Sequence, residues 1–344
     1  MKMVSPMHFL SDFAHIPETI DAYAKSPLPS EALDLLKSRN DNAGRVRLVG
    51  MGGSFNAATA AAEQFLKLGI DARAELASHL LHSSAKTVGS DELIVLISYS
   101  GTSIETIRAA EELRKGARPR IICITNAQSG PLVSLCDVVL RQGLNETTHK
   151  PFGPWTATYL TLVKLAHAMV GQQFKAATGL KEECGRLLAA AESLIALQPS
   201  LPMYIEFFGR GALAATATQA TLIAREIARV PASDWDSSTY RHGPIEAISS
   251  TQLSVIFAAR DGRQAGLDSS FVAAMKGIVN KVLVVGPEGS EMPVRVDEIL
   301  LPLVSLFLPA ILSYAWSEKA GLTAGEFRYT SHSITDEEVL SNEG

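Results

Sequence analysis

A chain of 344 residues, 47% of them hydrophobic, is long enough for two α/β domains with filled cores and does not have the composition of a disordered protein. A formal net charge of −5 without a long basic run argues against a nucleic-acid-binding surface. No signal peptide and no run of about 18 apolar residues is recognisable, so we expect a cytoplasmic protein without membrane contact. The three cysteines are Cys123, Cys136 and Cys184. Because they lack CxxC spacing, no metal site is predicted.

The chain begins with two helical patterns, which are separated by a short proline-containing segment. They predict an N-terminal helical arm over residues 1–44. Apolar runs rich in β-branched residues then alternate with helical patterns. They predict five strands, at residues 45–50, 70–75, 93–97, 120–125 and 138–141. Strands that alternate with helices indicate an α/β fold with a doubly wound parallel sheet flanked by helices.

The strand at residues 93–97 runs into a turn rich in hydroxyl groups, Ser98-Tyr99-Ser100-Gly101-Thr102-Ser103. A helix is predicted from about Thr102 or Ser103, because Thr102 and Glu105 have the spacing of a capping box. The free N–H groups and the positive dipole end of that helix face the turn and favour an anion there. On its own the turn leaves two interpretations open, a phosphate site and ordinary capping residues.

A similar turn, Gly52-Gly53-Ser54, follows the strand at residues 45–50. Parallel α/β sheets bind ligands beyond the carboxyl ends of their strands, so we expect both turns at one rim of the sheet. The glycines lack the third position of the dinucleotide fingerprint, which argues against a nucleotide cofactor. A tight turn without a ligand is the alternative.

The strand–turn–helix plan starts again after a mostly helical stretch over residues 155–197. A strand at 203–208, the turn Gly209-Arg210-Gly211 and an alanine-rich helix at 212–228 echo the first half, which indicates an internal duplication. Further strands are predicted at 253–259, 281–285 and 298–301, before a last helix at 303–320. The predicted domains are residues 45–185 and 186–320, with a C-terminal tail over 321–344.

Two residues of the second half are candidates for proton transfer. Glu226 lies near the end of the alanine-rich helix, where the residue types alone favour a surface ion pair with Arg225 or Arg229. His242 precedes Gly243-Pro244 on a predicted rigid, non-helical corner. A functional role and a packing role both remain open for this histidine.

Three segments together resemble the sugar isomerase (SIS) superfamily: Gly50-Met51-Gly52-Gly53-Ser54-Phe55-Asn56, Ser98-Tyr99-Ser100-Gly101-Thr102-Ser103-Ile104-Glu105-Thr106 and Arg241-His242-Gly243-Pro244. The chain is similar to the tandem-SIS isomerase half of glucosamine-6-phosphate synthase, and to the related amino-sugar phosphate deaminases and fructosamine-phosphate deglycases. The resemblance covers residues 45–334 and implies two tandem SIS domains.

The resemblance also implies roles for individual residues. A sugar phosphate is expected on Ser54, Ser98, Tyr99, Ser100 and Ser103. Glu226 precedes His242 by 242 − 226 = 16 positions, as the family's base precedes its histidine. Glu226 is therefore expected to carry a proton between C1 and C2, and His242 to open the sugar ring. In these relatives the histidine reaches the site of the neighbouring subunit, so a homodimer is expected, with no metal and no cofactor.

The chain departs from the synthase pattern at several places. The glutaminase domain has no counterpart, so no glutaminase activity is expected. Gln219 stands seven positions before Glu226 (226 − 7 = 219), where the synthase has a second glutamate. His332 stands in place of the Schiff-base lysine and is a candidate for ring opening or proton transfer. The segment 147–155 differs from the one that relatives place against the sugar.

The expected function is therefore that of a phosphosugar aldose–ketose isomerase or isomerising deaminase acting on a phosphorylated sugar or amino sugar. Two alternatives stay open. A fructosamine-phosphate deglycase would use the same base and phosphate site. A non-catalytic regulator that binds sugar phosphates would use the phosphate site alone.

Overall fold

The computed structural model describes residues 16–37, 44–143, 152–175, 178–324, 326–329 and 334–336. The chain divides into two compact units. The first unit comprises Ala24–Phe174 and Phe327–Gly344, and the second comprises Met1–Tyr23 and Lys175–Glu326. Helix α1 (Ile16–Lys25) spans a division between them. The domain limits expected from the sequence, with an arm over 1–44 and a tail from 321, remain predictions.

The first unit is built on a parallel sheet of five strands in the order β2-β1-β3-β4-β5. The strands are β1 (Val46–Gly50), β2 (Ala72–Leu76), β3 (Leu93–Ile97), β4 (Arg120–Thr125) and β5 (Val138–Arg141). The longer helices are α2 (Ser30–Lys37), α3 (Gly52–Lys67), α4 (Ile104–Lys115) and α5 (Phe152–Met169). Every residue of β1 and β3 is buried, as in strands that helices cover on both faces.

The second unit repeats this plan. Its strands are β6 (Ile205–Gly209), β7 (Ala232–Asp236), β8 (Leu253–Phe257), β9 (Lys281–Gly286) and β10 (Met292–Pro293). Its longer helices are α6 (Leu180–Ala189), α7 (Ala191–Leu197), α8 (Ala212–Ile223), α9 (Gly262–Lys276) and α10 (Phe307–Lys319). The order β7-β6-β8-β9-β10 is that of the first sheet, position for position, and all neighbours are parallel. The shared order supports the internal duplication.

The predicted strands of the first half are confirmed, and β3, β4 and β5 match their predicted limits at both ends. The predicted capping box is wrong. Helix α4 begins at Ile104 with Ser103 as its N-cap residue, which makes no side-chain cap bond. Thr102 instead donates its N–H and its hydroxyl to Ser100 Oγ, at 3.2 and 2.9 Å, so it belongs to the turn.

The predicted strand at residues 298–301 is also wrong. A 3₁₀ helix, Glu298–Leu300, forms there because the Asp297 carboxylate accepts the N–H of Ile299 at 2.9 Å and caps its start. The fifth strand of this sheet is β10, which precedes that turn. Strand β7, missed from the sequence, pairs with β6 at the edge of the sheet.

Within the described residues, one helical stretch, Glu298–Lys319, is long and apolar enough to cross a membrane, with a mean hydropathy of 2.0. It is not a run of consecutive apolar residues, because Ser305 and Ser313 interrupt it. The stretch is 94% buried inside the protein, which is the placement of a core helix. Trp316 in its last turn is buried and donates its indole N–H to Gln198 O at 2.9 Å.

Candidate functional site

The carboxyl ends of β1 and β3 form the topological switch point of the first sheet. The two strands are neighbours, and the register pairs Gly50 with Ile97 at their ends. The predicted turn Gly52-Gly53-Ser54 is wrong, because these residues form the first turn of α3, with Met51 as its N-cap. Ser54 nevertheless lies just after Gly50, and the serine-rich turn 98–103 follows Ile97, so both segments leave the same rim. Open parallel sheets bind ligands in the crevice at such a point.

The hydroxyls of the serine-rich turn form a compact cluster. Ser98 is buried, and its Oγ lies 3.0 Å from Ser103 Oγ and accepts the N–H of Gly101 at 3.2 Å. Ser100 and Ser103 are half-buried, so they face the rim. Only glycine suits position 101, because its φ is +70° and a Cβ there would lie 2.7 Å from Ala127 Cβ.

Tyr99 is fixed by the end of the neighbouring strand β4. Its phenol oxygen accepts a hydrogen bond from Asn126 Nδ2 at 3.3 Å, and its carbonyl accepts the N–H of Asn126 at 2.9 Å. Asn126, which was not identified from the sequence, therefore fixes both the backbone and the phenol of Tyr99 in the turn. Its position directly after a predicted strand was the signal that could have identified it.

The start of α4 also contacts the C-terminal segment of the chain. The N–H of Ile104, the first residue of the helix, donates to Ile334 O at 3.0 Å. One of the amide groups that an anion could use is thus occupied by a backbone carbonyl. The serine hydroxyls remain beside it on the same turn.

The equivalent rim of the second sheet is filled by an internal ion pair. Arg210, which directly follows β6, places its Nε 2.7 Å from Asp268 Oδ1 on α9. Asp268 also accepts the N–H of Ala259 at 3.0 Å, and both charged side chains are buried. The Asp268 carboxylate thus neutralises Arg210 at the carboxyl end of β6.

Glu226 lies in a π-helical turn, Ala224–Ala228, that ends α8. The ion pair that its residue type favours is not formed. Arg225 donates to Ala232 O, and Arg229 donates to Glu326 O at 3.1 Å. Among the described residues the half-buried Glu226 carboxylate has no hydrogen-bond or ion-pair partner, and burial raises its pKa to about 7. A carboxylate with this pKa can both accept and return a proton near neutral pH.

His242 is the last residue of a 3₁₀ turn, Thr239–His242, and is followed by Gly243 with a φ of +136°. The expected non-helical corner is thus a short 3₁₀ helix that breaks at the glycine. The imidazole is exposed and makes no hydrogen bond with any residue that the structure describes. His332 and residues 147–151 lie outside the described residues, and Gln219 is fully buried on α8.

The described part of the chain contains no group of three or more His, Cys, Asp and Glu residues that could hold a metal ion. All three cysteines are free thiols, and Cys123 and Cys184 are buried. The candidate phosphate residues lie in the first unit, and Glu226 and His242 lie in the second.

Residues 41–170, which include both segments at the first rim, match the family model of the SIS domain. This part of the chain is therefore a SIS domain. The chain is 24% identical over 348 residues to the isomerizing glutamine–fructose-6-phosphate aminotransferase of Sulfolobus acidocaldarius, across 96% of this chain and 57% of that protein. The chain thus spans about half the length of the curated relatives it matches.

Solved structures show the same fold over nearly the whole chain. Glucosamine-6-phosphate deaminase from Thermotoga maritima superposes with a TM-score of 0.76 at 18% identity, covering 95% of this chain and 99% of that one. Tagatose-6-phosphate ketose/aldose isomerase from Escherichia coli superposes with a TM-score of 0.71 at 17% identity, covering 91% and 93%. The two five-stranded sheets therefore form the α/β SIS fold.

Proposed function

We propose that this protein is a phosphosugar isomerase or isomerising deaminase in which Glu226 moves a proton between C1 and C2 of a phosphorylated sugar or amino sugar. The observation that carries the proposal is the isolated, half-buried Glu226 carboxylate, whose pKa burial raises to about 7. A general base works best when its pKa lies near the working pH.

The proton transfer balances without a redox partner. From aldose to ketose, Glu226 takes the proton from C2 and delivers it to C1, while the hydroxyl proton moves from O2 to O1. On a 2-amino sugar the same C2-to-C1 transfer, with a proton moving from the nitrogen to O1, leaves an imine at C2, and water hydrolyses it to a ketose and ammonia. His242 exchanges a proton with the ring oxygen and opens the ring. His332 is a second candidate for that step through the family resemblance.

The phosphate is assigned to Ser54, Ser98, Tyr99, Ser100 and Ser103. Their placement at the switch point and the clustered hydroxyls support this assignment. Phosphate binding fixes the sugar so that the reacting carbons meet the base in one orientation. The exposed His242 suits a residue that serves the site of a neighbouring subunit, which supports the proposed cytoplasmic homodimer.

The function is tested by incubating the full chain with fructose 6-phosphate, glucosamine 6-phosphate, galactosamine 6-phosphate and fructosamine phosphates. Ketose, aldose, ammonia and released amine are followed. We expect turnover of at least one unsubstituted sugar or amino-sugar phosphate. Release of an amine from fructosamine phosphates alone contradicts the isomerase assignment in favour of a deglycase, and binding without turnover identifies a regulator.

Replacing Ser100 or Ser103 with alanine is expected to raise the KM for the sugar phosphate about 10-fold, because each change removes a hydrogen bond to a charged group. Ser249→Ala is a matched control. Ser249 Oγ accepts the N–H of Thr251 at 3.3 Å and lies 2.9 Å from its hydroxyl, the geometry that Ser100 has with Thr102. An unchanged KM in both rim variants contradicts the phosphate assignment.

A further inference from the structure

A buried carboxylate that the proposed reaction does not use lies on β6, the interior strand next to the edge strand β7. Glu206 is 6% exposed and accepts hydrogen bonds from three side chains. Tyr240 OH lies 2.7 Å from Oε2, Trp235 Nε1 lies 3.1 Å from Oε1, and Gln252 donates to Oε2. A buried carboxylate is costly unless such donors satisfy it, so the cluster holds all three donors in place.

The three donors belong to one continuous stretch of the chain, which also carries His242. Trp235 lies on β7, Tyr240 lies in the 3₁₀ turn, and Gln252 directly precedes β8. Glu206 therefore connects strand β6 to both ends and to the middle of the β7–β8 connection. His242 is two residues from the middle tie.

The side chain of Tyr240 is fixed by ring contacts and by a hydrogen bond of its hydroxyl group. It is fully buried, and its ring makes edge-to-face contacts with Phe208 at 4.8 Å and with Phe271 at 6.3 Å between centroids. The Glu206 carboxylate takes its hydroxyl. The turn also has a fixed start, since Asp236 Oδ1 accepts the N–H groups of Ser238 and Thr239, each at 2.9 Å.

His242 itself has no such anchor. Its imidazole is exposed, forms no hydrogen bond within the described residues, and is followed by Gly243, which adopts a φ of +136°. The backbone of the turn therefore sets the position of the His242 Cα–Cβ bond and the region that the imidazole can reach. That backbone is fixed through the side chain of Tyr240.

We propose that Glu206 and Tyr240 are positioning residues for His242, because their buried hydrogen bond fixes the turn from which the exposed imidazole projects. The kinetic consequence rests on the proposed role of His242 in ring opening. Loss of the bond slows ring opening and leaves the proton transfer by Glu226 unchanged.

The experiment compares Tyr240→Phe and Glu206→Gln with the control Tyr204→Phe in the full chain. Tyr204 also forms one hydroxyl hydrogen bond, to Ser233 Oγ at 2.7 Å, at an exposed site that does not include Glu206. The probes are fructose 6-phosphate, which closes a ring, and 5-deoxyfructose 6-phosphate, which lacks the hydroxyl that closes it. Exchange of a C1 proton with deuterated water is followed by NMR.

We expect Tyr240→Phe and Glu206→Gln to slow exchange about 10-fold on fructose 6-phosphate, since catalysis is sensitive to small displacements, and to have no effect on the 5-deoxy probe. Tyr204→Phe is expected to change neither rate. Equal slowing on both probes overturns the proposal, because it indicates a general structural defect. If Tyr240→Phe does not fold, the isosteric Glu206→Gln decides the question.

A second readout does not depend on turnover. Carbon-13 relaxation of the His242 imidazole, assigned with His242→Asn, reports the motion of the ring in the free protein. We expect greater motion in both cluster variants than in the wild type and in Tyr204→Phe. Unchanged motion overturns the proposal even where the rates differ. If the wild type exchanges neither ketose, its activity on fructose 6-phosphate is refuted while the relaxation still decides the positioning role.

Discussion

Replacing Glu226 with glutamine is expected to lower kcat by about 10²–10⁴-fold, because the amide keeps the size of the side chain but cannot accept the proton. The measurement is the initial rate of ketose or ammonia formation with the sugar phosphate that the wild type converts. Glu182→Gln is the control, since it makes the same change at an exposed position on α6. Retention of full turnover in Glu226→Gln refutes the assignment of the base.

The pH dependence of the wild type provides an independent check of the same assignment. The base must be ionised to take the proton, and burial raises its pKa to about 7. We therefore expect kcat/KM to increase as the pH rises through about 7, and to reach a plateau above it. If the base were an ordinary exposed glutamate, kcat/KM would increase near pH 4.3, so an increase at that pH contradicts a buried base.

The same carboxylate has a measurable effect on stability, with a definite sign. The pKa is raised from 4.5 to about 7 in the folded state. Below pH 4.5 the group is protonated in both states, so its burial adds no ionisation cost. Above pH 7 it is ionised in both states, and folding must bury the charge, at a cost on the order of 3 kcal/mol.

Urea unfolding of the wild type and of Glu226→Gln at several pH values tests this cost. The variant is expected to gain stability relative to the wild type between pH 4.5 and pH 7, and to keep that advantage at higher pH. A difference that does not vary with pH contradicts the buried, unpaired carboxylate. The burial that raises the pKa of Glu226 toward the working pH of a base is thus the same burial that lowers the free energy of unfolding.

The interior strands could be predicted from the sequence because their environment is uniform. Strands β3 and β4 are continuous apolar runs, as expected for strands covered on both faces. Strand β7, Ala-Ser-Asp-Trp-Asp, has no such run, since it is an edge strand that is mostly half-buried. This strand is defined by its pairing with β6, in which Ile205 lies opposite Ala232. Such pairing with a distant segment cannot be recognised from the five residues of β7 alone.

The candidate site was predictable where a local rule applies and unpredictable where distant partners decide. Hydroxyls after a buried strand identified the serine-rich turn. Glu226 has no ion-pair partner because Arg225 and Arg229 donate to the backbone carbonyls of residues 232 and 326 instead. Glu206 was missed because a single carboxylate in a strand normally indicates a solvent-facing position. Its three donors follow it by 29 residues or more.

The largest expected change in stability comes from Arg47, which neutralises two buried carboxylates at the amino end of the first sheet. Its Nε lies 2.7 Å from Glu92 Oε2, and its Nη1 lies 3.1 Å from Glu75 Oε2. All three side chains are at most 10% exposed. Arg47→Met leaves two adjacent carboxylates buried without their cation, so we expect a loss of about 3–5 kcal/mol in the free energy of unfolding.

Urea unfolding at pH 7 measures this loss, and Arg45→Met on the same segment is the matched control. Arg45 Nε lies 3.0 Å from Asp71 Oδ2, but the two side chains are 32% and 64% exposed. A pair in water contributes about 0–1 kcal/mol, so the control is expected to change little. Equal effects of the two substitutions refute the importance of burial at Arg47.

The charge origin of the loss is tested by pH and by removing the carboxylates together with the arginine. Burial raises the pKa of Glu75, but hydrogen bonds from Ser84, His79 and Arg47 outweigh it and hold the pKa below 4.5. The stabilisation is therefore present above pH 4.5 and is lost as the pH falls through the lower folded pKa. The deficit of Arg47→Met is expected to shrink in acid, and Arg47→Met/Glu75→Gln/Glu92→Gln is expected to recover most of it. A deficit that persists in both tests indicates lost packing of the arginine side chain rather than uncompensated charge.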